Sequence, residues 1–377
     1  MTPNNTHWTS IWGNAVSIAE NRPEGYSKNI TLRYPIYSHF SGESLRITFD
    51  NYCGTEAITI NKTTLLINNE FVTVSFHGEP AVTIPAGERM VSDEIICHVT
   101  AKSIFFVSFY LESYTQMRSM VYASGPLSTG IYAIGDMTTE KDIPINISRN
   151  TNNFYFLSNV SVLTESNNRC IVCYGDSITA QDWPNYLSLR CREEGYNHTS
   201  VIRRATSGSR ILREYNNITY ESYGLKGTNR FEHEVPTDGA DTVIIQQGIN
   251  DIIHPVGVEI NPFRPMSDMP TLEELIDGMK YYISKARSYG YKIYLGTLLP
   301  IEGWRTYADF REKIRNEFND WMRTTDLVDG CIDFDKALCD PDNPSAFLPI
   351  YDSGDHLHPS KEGYKKMAET VFAEILY

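Results

Sequence analysis

The sequence predicts two domains: an all-β sandwich of jelly-roll-like type over residues 1–150, then an α/β domain on a doubly wound parallel sheet over 151–377. Three observations carry this. With 377 residues, 41% of them hydrophobic and 12% aromatic, the chain is too long for one ordinary core and too apolar to be disordered. From about residue 28 to 145, short runs alternate apolar with polar residues and are separated by turn residues. Beyond a mostly polar stretch at 146–153, apolar runs alternate with longer helical patterns, which is the grammar of βα units.

In the first part, Ser44-Leu45-Arg46-Ile47-Thr48-Phe49, Glu56-Ala57-Ile58-Thr59-Ile60, Val82-Thr83-Ile84-Pro85-Ala86-Gly87 and Ile104-Phe105-Phe106-Val107-Ser108-Phe109-Tyr110 read as strands. Their period of two and their Thr, Ile, Val and Phe content suit a pleated, half-buried surface. In the second part, strands are expected at 170–174, 241–246 and 292–297, with a shorter one at 331–334, and helices at 183–194, 271–289, 307–324 and 360–376. Thr271 with Glu274 has capping-box spacing, and Gly290 suits the end of the same helix. Sheets of this kind hold ligands at the carboxyl ends of their strands, so chemistry is expected in the loops that follow them.

Composition narrows the partners. Lys and Arg total 33 against 47 Asp and Glu, a formal net charge of -14, so nucleic acid and anionic lipid surfaces are repelled and neither is expected to bind. The 7 cysteines, at 53, 97, 170, 173, 191, 331 and 339, show no repeated metal-ligand spacing, and a reducing, cytoplasmic setting is expected. Cys170-Ile171-Val172-Cys173 contains a CxxC, read as part of a buried strand rather than as a redox or metal pair. Met1-Thr2-Pro3-Asn4-Asn5 carries no basic stretch followed by an apolar core, and no run of about 18 apolar residues occurs. Triplets of the form Asn-x-Ser/Thr, as at Asn29 and Asn61, carry meaning only on a secretory route.

The first strand of the second part runs into Gly175-Asp176-Ser177-Ile178-Thr179, which places a Ser on a strand-to-helix turn. A serine hydroxyl is a weak nucleophile unless a base and an oxyanion site converge on it. Asp355-His356-Leu357-His358-Pro359 supplies an acid and a His three residues apart, so that one turn of chain can aim the carboxylate of Asp355 at the ring of His358. Gly208, in Ala205-Thr206-Ser207-Gly208-Ser209, offers an unshielded N–H, and Asn250, in Gln247-Gly248-Ile249-Asn250-Asp251, a carboxamide. His356 and Asp352 stay open as rivals to His358 and Asp355. Asp176 and Asp251 are read as hydrogen-bonding residues of their turns rather than proton carriers.

Gly175-Asp176-Ser177, Gly208, Gly248-x-Asn250-Asp251 and Asp355-x-x-His358 together resemble the four blocks of the SGNH (GDSL) hydrolase family, in order. The resemblance covers about residues 169–377. It implies a flavodoxin-like α/β/α domain, a Ser nucleophile, a His base, an Asp orienter, Gly and Asn oxyanion donors, and neither metal nor cofactor. The opening Trp8-Thr9-Ser10-Ile11-Trp12 and Val82 to Gly87 resemble, more loosely, the β-rich domain that precedes the catalytic one in a bacterial subset of the family. One departure is Ala180-Gln181-Asp182-Trp183-Pro184 after the nucleophile, where many relatives carry an acidic residue and Gly; a bulkier rim is expected.

Trp304 and Arg305 follow the strand at 292–297 and are candidates to stack on a sugar or hold an anionic group, with plain loop packing as the alternative. The Pro-rich loop from Ile253-His254-Pro255 to Met269-Pro270 is expected to wall the substrate. Arg203-Arg204 is expected on the surface or in salt bridges. The expected activity is hydrolysis of short acyl esters, acetyl on carbohydrate first. A lysophospholipase or thioesterase with a longer acyl groove is the second reading, and a glycan-binding protein with a vestigial hydrolase domain the third.

Overall fold

Along Gly42–Asp50 the side chains of Leu45, Ile47 and Phe49 are buried, and along Ile104–Leu111 so are Phe105, Val107, Phe109 and Leu111. Strands with one buried face must be covered, and here two antiparallel sheets cover each other. In one, Leu157–Glu165 lies between Thr6–Gly13 and Gly42–Asp50, with Arg89–Val91 and Ile95–Val99 on the far side of the latter. The other runs in the order Ser148–Thr151, Gly130–Ile134, Ile30–Tyr37, Ile104–Leu111, Lys62–Ile67, Glu70–Val74. Leu32, Tyr34 and Ile36 of the second sheet share one apolar cluster with Leu45, Val160 and Val162 of the first.

This computed structural model describes residues 5–19 and 25–377; Met1 to Asn4, read above for a targeting stretch, lie outside the described residues. Two units are distinguished: Met1–Cys170 with Glu194–Ile202 and Thr237–Gly239, and Ile171–Glu193 with Arg203–Pro236 and Ala240–Tyr377. The expected division at 150 falls short of this. The polar stretch at 146–153 is no linker, because Ser148–Thr151 pairs with Gly130–Ile134, and an edge strand can be polar while its ladder holds it. Leu157–Glu165 then returns to the middle of the first sheet. The strands expected at 56–60 and 82–87 shorten to Ile58–Ile60 and Val82–Ile84, which pair with each other.

The sheet of the α/β part is built from β1 (Arg169–Gly175), β2 (Thr199–Ala205), β3 (Ala240–Gln246), β4 (Lys292–Gly296) and β5 (Gly330–Ile332) in the order β2-β1-β3-β4-β5. The β3/β4 and β4/β5 ladders are parallel. This is the flavodoxin-like order, whose direction reverses between β1 and β3, and ligands bind outside the strand ends at that crevice. The helices that place the site are α1 (Ser177–Ala180), α2 (Trp183–Glu193), α3 (Gly227–Glu234), α4 (Ile249–Ile253), α5 (Leu272–Ser288), α6 (Asp309–Thr324), α7 (Phe334–Leu338), α8 (Lys361–Thr370) and α9 (Ala373–Leu376). α5 carries the capping box read from sequence: the Glu274 N–H donates to Thr271 Oγ1, and the Thr271 N–H to Glu274 Oε2. The helix expected at 360–376 is broken at Val371 and Phe372, which are extended.

β2 was not expected, and its Arg203-Arg204 is buried rather than on the surface. All seven residues of β2 are buried. Arg203 Nη1 donates to the carbonyls of Ala180 and Gln181, and Arg204 Nε to that of Glu234. The two guanidinium groups satisfy helix-terminal carbonyls that have no partner within their own helices. Cys170 and Cys173 are fully buried within β1, in keeping with the structural reading of the CxxC.

Candidate active site

At the carboxyl end of β1 the chain turns through Asp176, whose Oδ1 accepts the Ile178 N–H at 3.1 Å and starts α1. The turn leaves Ser177 9% exposed at the sheet edge. Ser177 Oγ lies 2.9 Å from His358 Nε2, and His358 Nδ1 lies 2.7 Å from Asp355 Oδ2. The other oxygen of Asp355 accepts the N–H groups of Leu357 and His358 at 2.9 and 2.8 Å and the Ser353 hydroxyl at 3.1 Å. One carboxylate therefore folds the loop and orients the ring that the loop carries. Burial pushes the Asp355 carboxyl up, but the His358 ring, the two backbone donors and the imidazole's charge outweigh it and hold the group well below the usual carboxylate range.

The open rivals form a pair of their own. His356 Nδ1 is 2.6 Å from Asp352 Oδ2, and Asp352 Oδ1 accepts the N–H groups of Gly354 and His356. His356 sits at φ 62, so consecutive turns point the two histidines to different carboxylates.

The two proposed oxyanion donors come from separate loops that are tied together. Gly208 is at φ +78, and a Cβ there would sit 2.4 Å from the Tyr223 ring, so neither the backbone nor the space admits a side chain. Gly248, at φ +131, lets the chain leave β3 and enter α4 within a residue, which brings Asn250 to the edge. Asn250 Nδ2 donates one hydrogen to the Ser209 carbonyl at 3.1 Å and has a second to give. Asp251 accepts the N–H groups of Ile211 and Leu212, and burial raises its carboxyl to about 6 against the pull of those donors. Gln247 and Arg230 both donate to Ser209 Oγ, and Tyr282 of α5 fixes Gln247. Asp251 and Asp176 thus hold turns, as read from sequence. At Asp176 burial raises the carboxyl to about 7, and its Oδ2 has no partner among the described residues.

These residues open on a cleft of about 270 Å³ lined by Ser177, Gly208, Asn250 and His358 together with Trp304 and Arg305. Arg305 lies over the Trp304 ring, 4.6 Å from its centroid. Of the rim expected after the nucleophile, Gln181 lines the cleft, whereas Trp183 is fully buried against Phe334 and shapes nothing outside. Of the Pro-rich loop, Ile253 and His254 reach the cleft. Tyr223 was not singled out, although the Tyr215, Tyr220, Tyr223 spacing after Gly208 is a signal; the three rings pack together beside His254. Among the described residues no group of three or more His, Cys, Asp or Glu side chains is placed to hold a metal ion.

A doubly wound sheet with this serine-bearing turn at its switch point defines an α/β/α hydrolase. The sequence pattern of the GDSL-like Lipase/Acylhydrolase family matches residues 173–366, and the chain belongs to that family. Among solved structures it is similar to a lipolytic protein of the G-D-S-L family from Desulfitobacterium hafniense DCB-2, at 23% identity and TM-score 0.38, over 56% of this chain and 100% of that one. It is also similar to an acetyl xylan esterase from Geobacillus stearothermophilus, at 18% identity and TM-score 0.41, over 55% of this chain and 94% of that one. A GDSL-like lipase from Bacteroides thetaiotaomicron VPI-5482 shares 17% identity at TM-score 0.38, over 55% of this chain and 87% of that one. No curated protein matches the chain.

Proposed function

We propose that this acylhydrolase is a serine esterase that removes short acyl groups, acetyl first, from carbohydrate esters. The observation that carries the reading is the unbroken line from Ser177 Oγ through His358 to Asp355, at 2.9 and 2.7 Å. Ser177 attacks the ester carbonyl while His358 Nε2 takes the hydroxyl proton, and Asp355 holds the ring in the tautomer that can accept it. The Ser177 and Gly208 N–H groups and Asn250 Nδ2 receive the oxyanion. His358 then returns the proton to the departing alcohol. Water repeats the cycle on the acyl-enzyme, and the product acid leaves.

The preference for a short acyl group is supported by the cleft, whose volume of about 270 Å³ lies at the small end for ligand sites and suits an acetyl group with part of a sugar ring. No helix among the described residues is long and apolar enough to cross a membrane. The decisive comparison is Ser177→Ala against the parent protein with p-nitrophenyl esters of C2, C8 and longer acids, followed by acetate release from a panel of acetylated oligosaccharides. Loss of turnover in the variant and a C2 preference are expected. Full turnover without Ser177 removes the mechanism, and preference for long chains favours the lysophospholipase or thioesterase reading. Failure of a fluorophosphonate to label Ser177 favours a binding protein with a vestigial site.

A further inference from the structure

Arg264 and Arg311 are buried, at 8% and 4% exposure, and neither has a carboxylate within ion-pair distance among the described residues. Both spend their N–H groups on the carbonyls of one turn, at the end of α4. Arg264 donates to His254 and Ile253, at 2.5 and 3.3 Å, and Arg311 to Ile252 and Pro255. The carbonyl end of a helix offers at most roughly half a negative charge, and the rings beside the two groups, Tyr220 for Arg264 and Phe310 for Arg311, carry no net charge, so no full negative charge balances them. Burying such charge is costly unless something completes it.

The turn that rests on these arginines carries His254, which lines the same cleft as Ser177 and is 7% exposed. Its Nδ1 is buried with no hydrogen-bond partner among the described residues. Burial first, then the charges of Arg264, Arg210 and Arg305, hold its pKa well below the ordinary histidine value, so the ring is neutral and keeps one N–H to donate. Arg305 lies on the same cleft, exposed, steadied by the Trp304 ring and in no ion pair among the described residues. No carboxylate lines the cleft. In a chain of net charge -14, this is a local reversal of sign beside the nucleophile.

We propose that Arg305 and His254, backed by the buried Arg264 and Arg311, form an anion subsite, and that the ester substrate carries a carboxylate on its alcohol part, as an O-acetylated uronate sugar does. Arg305 pairs with the carboxylate, His254 donates to it, and the two buried guanidinium groups supply the field. The inference rests on the esterase reading above and names the substrate class for that site.

The test compares kcat/KM for acetate release from an O-acetylated methyl glucuronide and from the same compound with its carboxylate converted to a primary amide. A charge-assisted hydrogen bond predicts a preference of about tenfold or more for the carboxylate, expressed in KM. Arg305→Gln is expected to bring the ratio close to one, and Arg305→Lys to restore part of it, with the fold of each variant checked by thermal melting. Equal rates on the two compounds in the parent protein, or an unchanged ratio in Arg305→Gln, overturn the subsite. Faster hydrolysis of the hemisuccinate than of the acetate ester of a neutral methyl glucoside places the anion on the acyl side and overturns the uronate assignment. Hydrolysis of uncharged p-nitrophenyl acetate separates the two failures: its absence sinks the esterase reading, and its presence without charge preference sinks the subsite alone.

Discussion

Replacing Asp355 by Asn keeps the size and shape of the side chain and changes what one of its atoms can do. In the native loop, Oδ1 accepts three hydrogen bonds, from the Leu357 and His358 N–H groups and the Ser353 hydroxyl, while Oδ2 accepts one, from His358 Nδ1. An amide has one accepting end. Turned to keep the backbone donors, it presents NH₂ to the ring, so Nδ1 must accept and the ring proton moves to Nε2, the atom 2.9 Å from Ser177 Oγ. Turned the other way, it sets NH₂ against two backbone N–H groups and gives up both of those bonds. The first arrangement loses fewer bonds, so the loop survives with the wrong tautomer. His358 then cannot take the serine proton, and turnover is expected to fall by about 10⁴, on the order of 5 kcal/mol in the barrier. The assay is p-nitrophenyl acetate hydrolysis at pH 7 to 8, with Asp352→Asn in parallel, because Asp352 pairs with His356 and not with His358. Turnover of Asp355→Asn within tenfold of the parent, or a larger loss in Asp352→Asn, would falsify the assignment of Asp355 as orienter.

The remaining predictions concern the oxyanion donors and the buried acids. Asn250→Ala is expected to lower kcat by about 10²–10³ with little change in KM, as for a donor used in the transition state, and a change confined to KM counts against it. Gly208→Ala forces a side chain into φ +78 and against the Tyr223 ring, so kcat/KM should drop at least about 10²-fold as the N–H is displaced; unaltered kinetics would mean that this N–H takes no part. Asp176 has a folded pKa raised to about 7, above its ordinary value of 3.8, so between those values the native state holds a proton that the unfolded chain has released. Its contribution is therefore fully present below about pH 4 and is lost as pH rises towards 7, by an amount on the order of a few kcal/mol. Asp251, raised to about 6, acts in the same direction. Asp176→Asn keeps an oxygen for the Ile178 N–H and should flatten the fall in thermal stability between about pH 4 and 7; equal slopes in variant and parent would show that Asp176 is not a source of it.

Several elements were legible because their cause is local. The capping box of α5 needs only Thr271 and Glu274, and Asp355 and His358 are separated by a single turn of chain. β2 was illegible because its two arginines are satisfied by carbonyls of residues 180, 181 and 234, far away in the chain. The boundary at 150 was misread for a related reason: polar residues at 148–151 form an edge strand only because Gly130–Ile134 is there to pair with them.

Residue identity and spacing, then, were enough to reveal a strand-to-helix turn bearing a serine, an acid and a base one turn apart, two possible oxyanion donors, and the alternation that separates a β-rich part from an α/β part. They left open which histidine faces Ser177, and of the cleft's charge they offered only Arg305 as a candidate to hold an anionic group, with plain loop packing as the alternative. Both depend on where atoms from remote segments meet: Asp352 claims His356 and leaves His358 to Asp355, while Arg264 and Arg311 converge beneath one turn without a carboxylate. Electrostatic and hydrogen-bonding energies fall off over a few ångströms in space, whatever the separation along the chain, so those choices belong to the folded molecule.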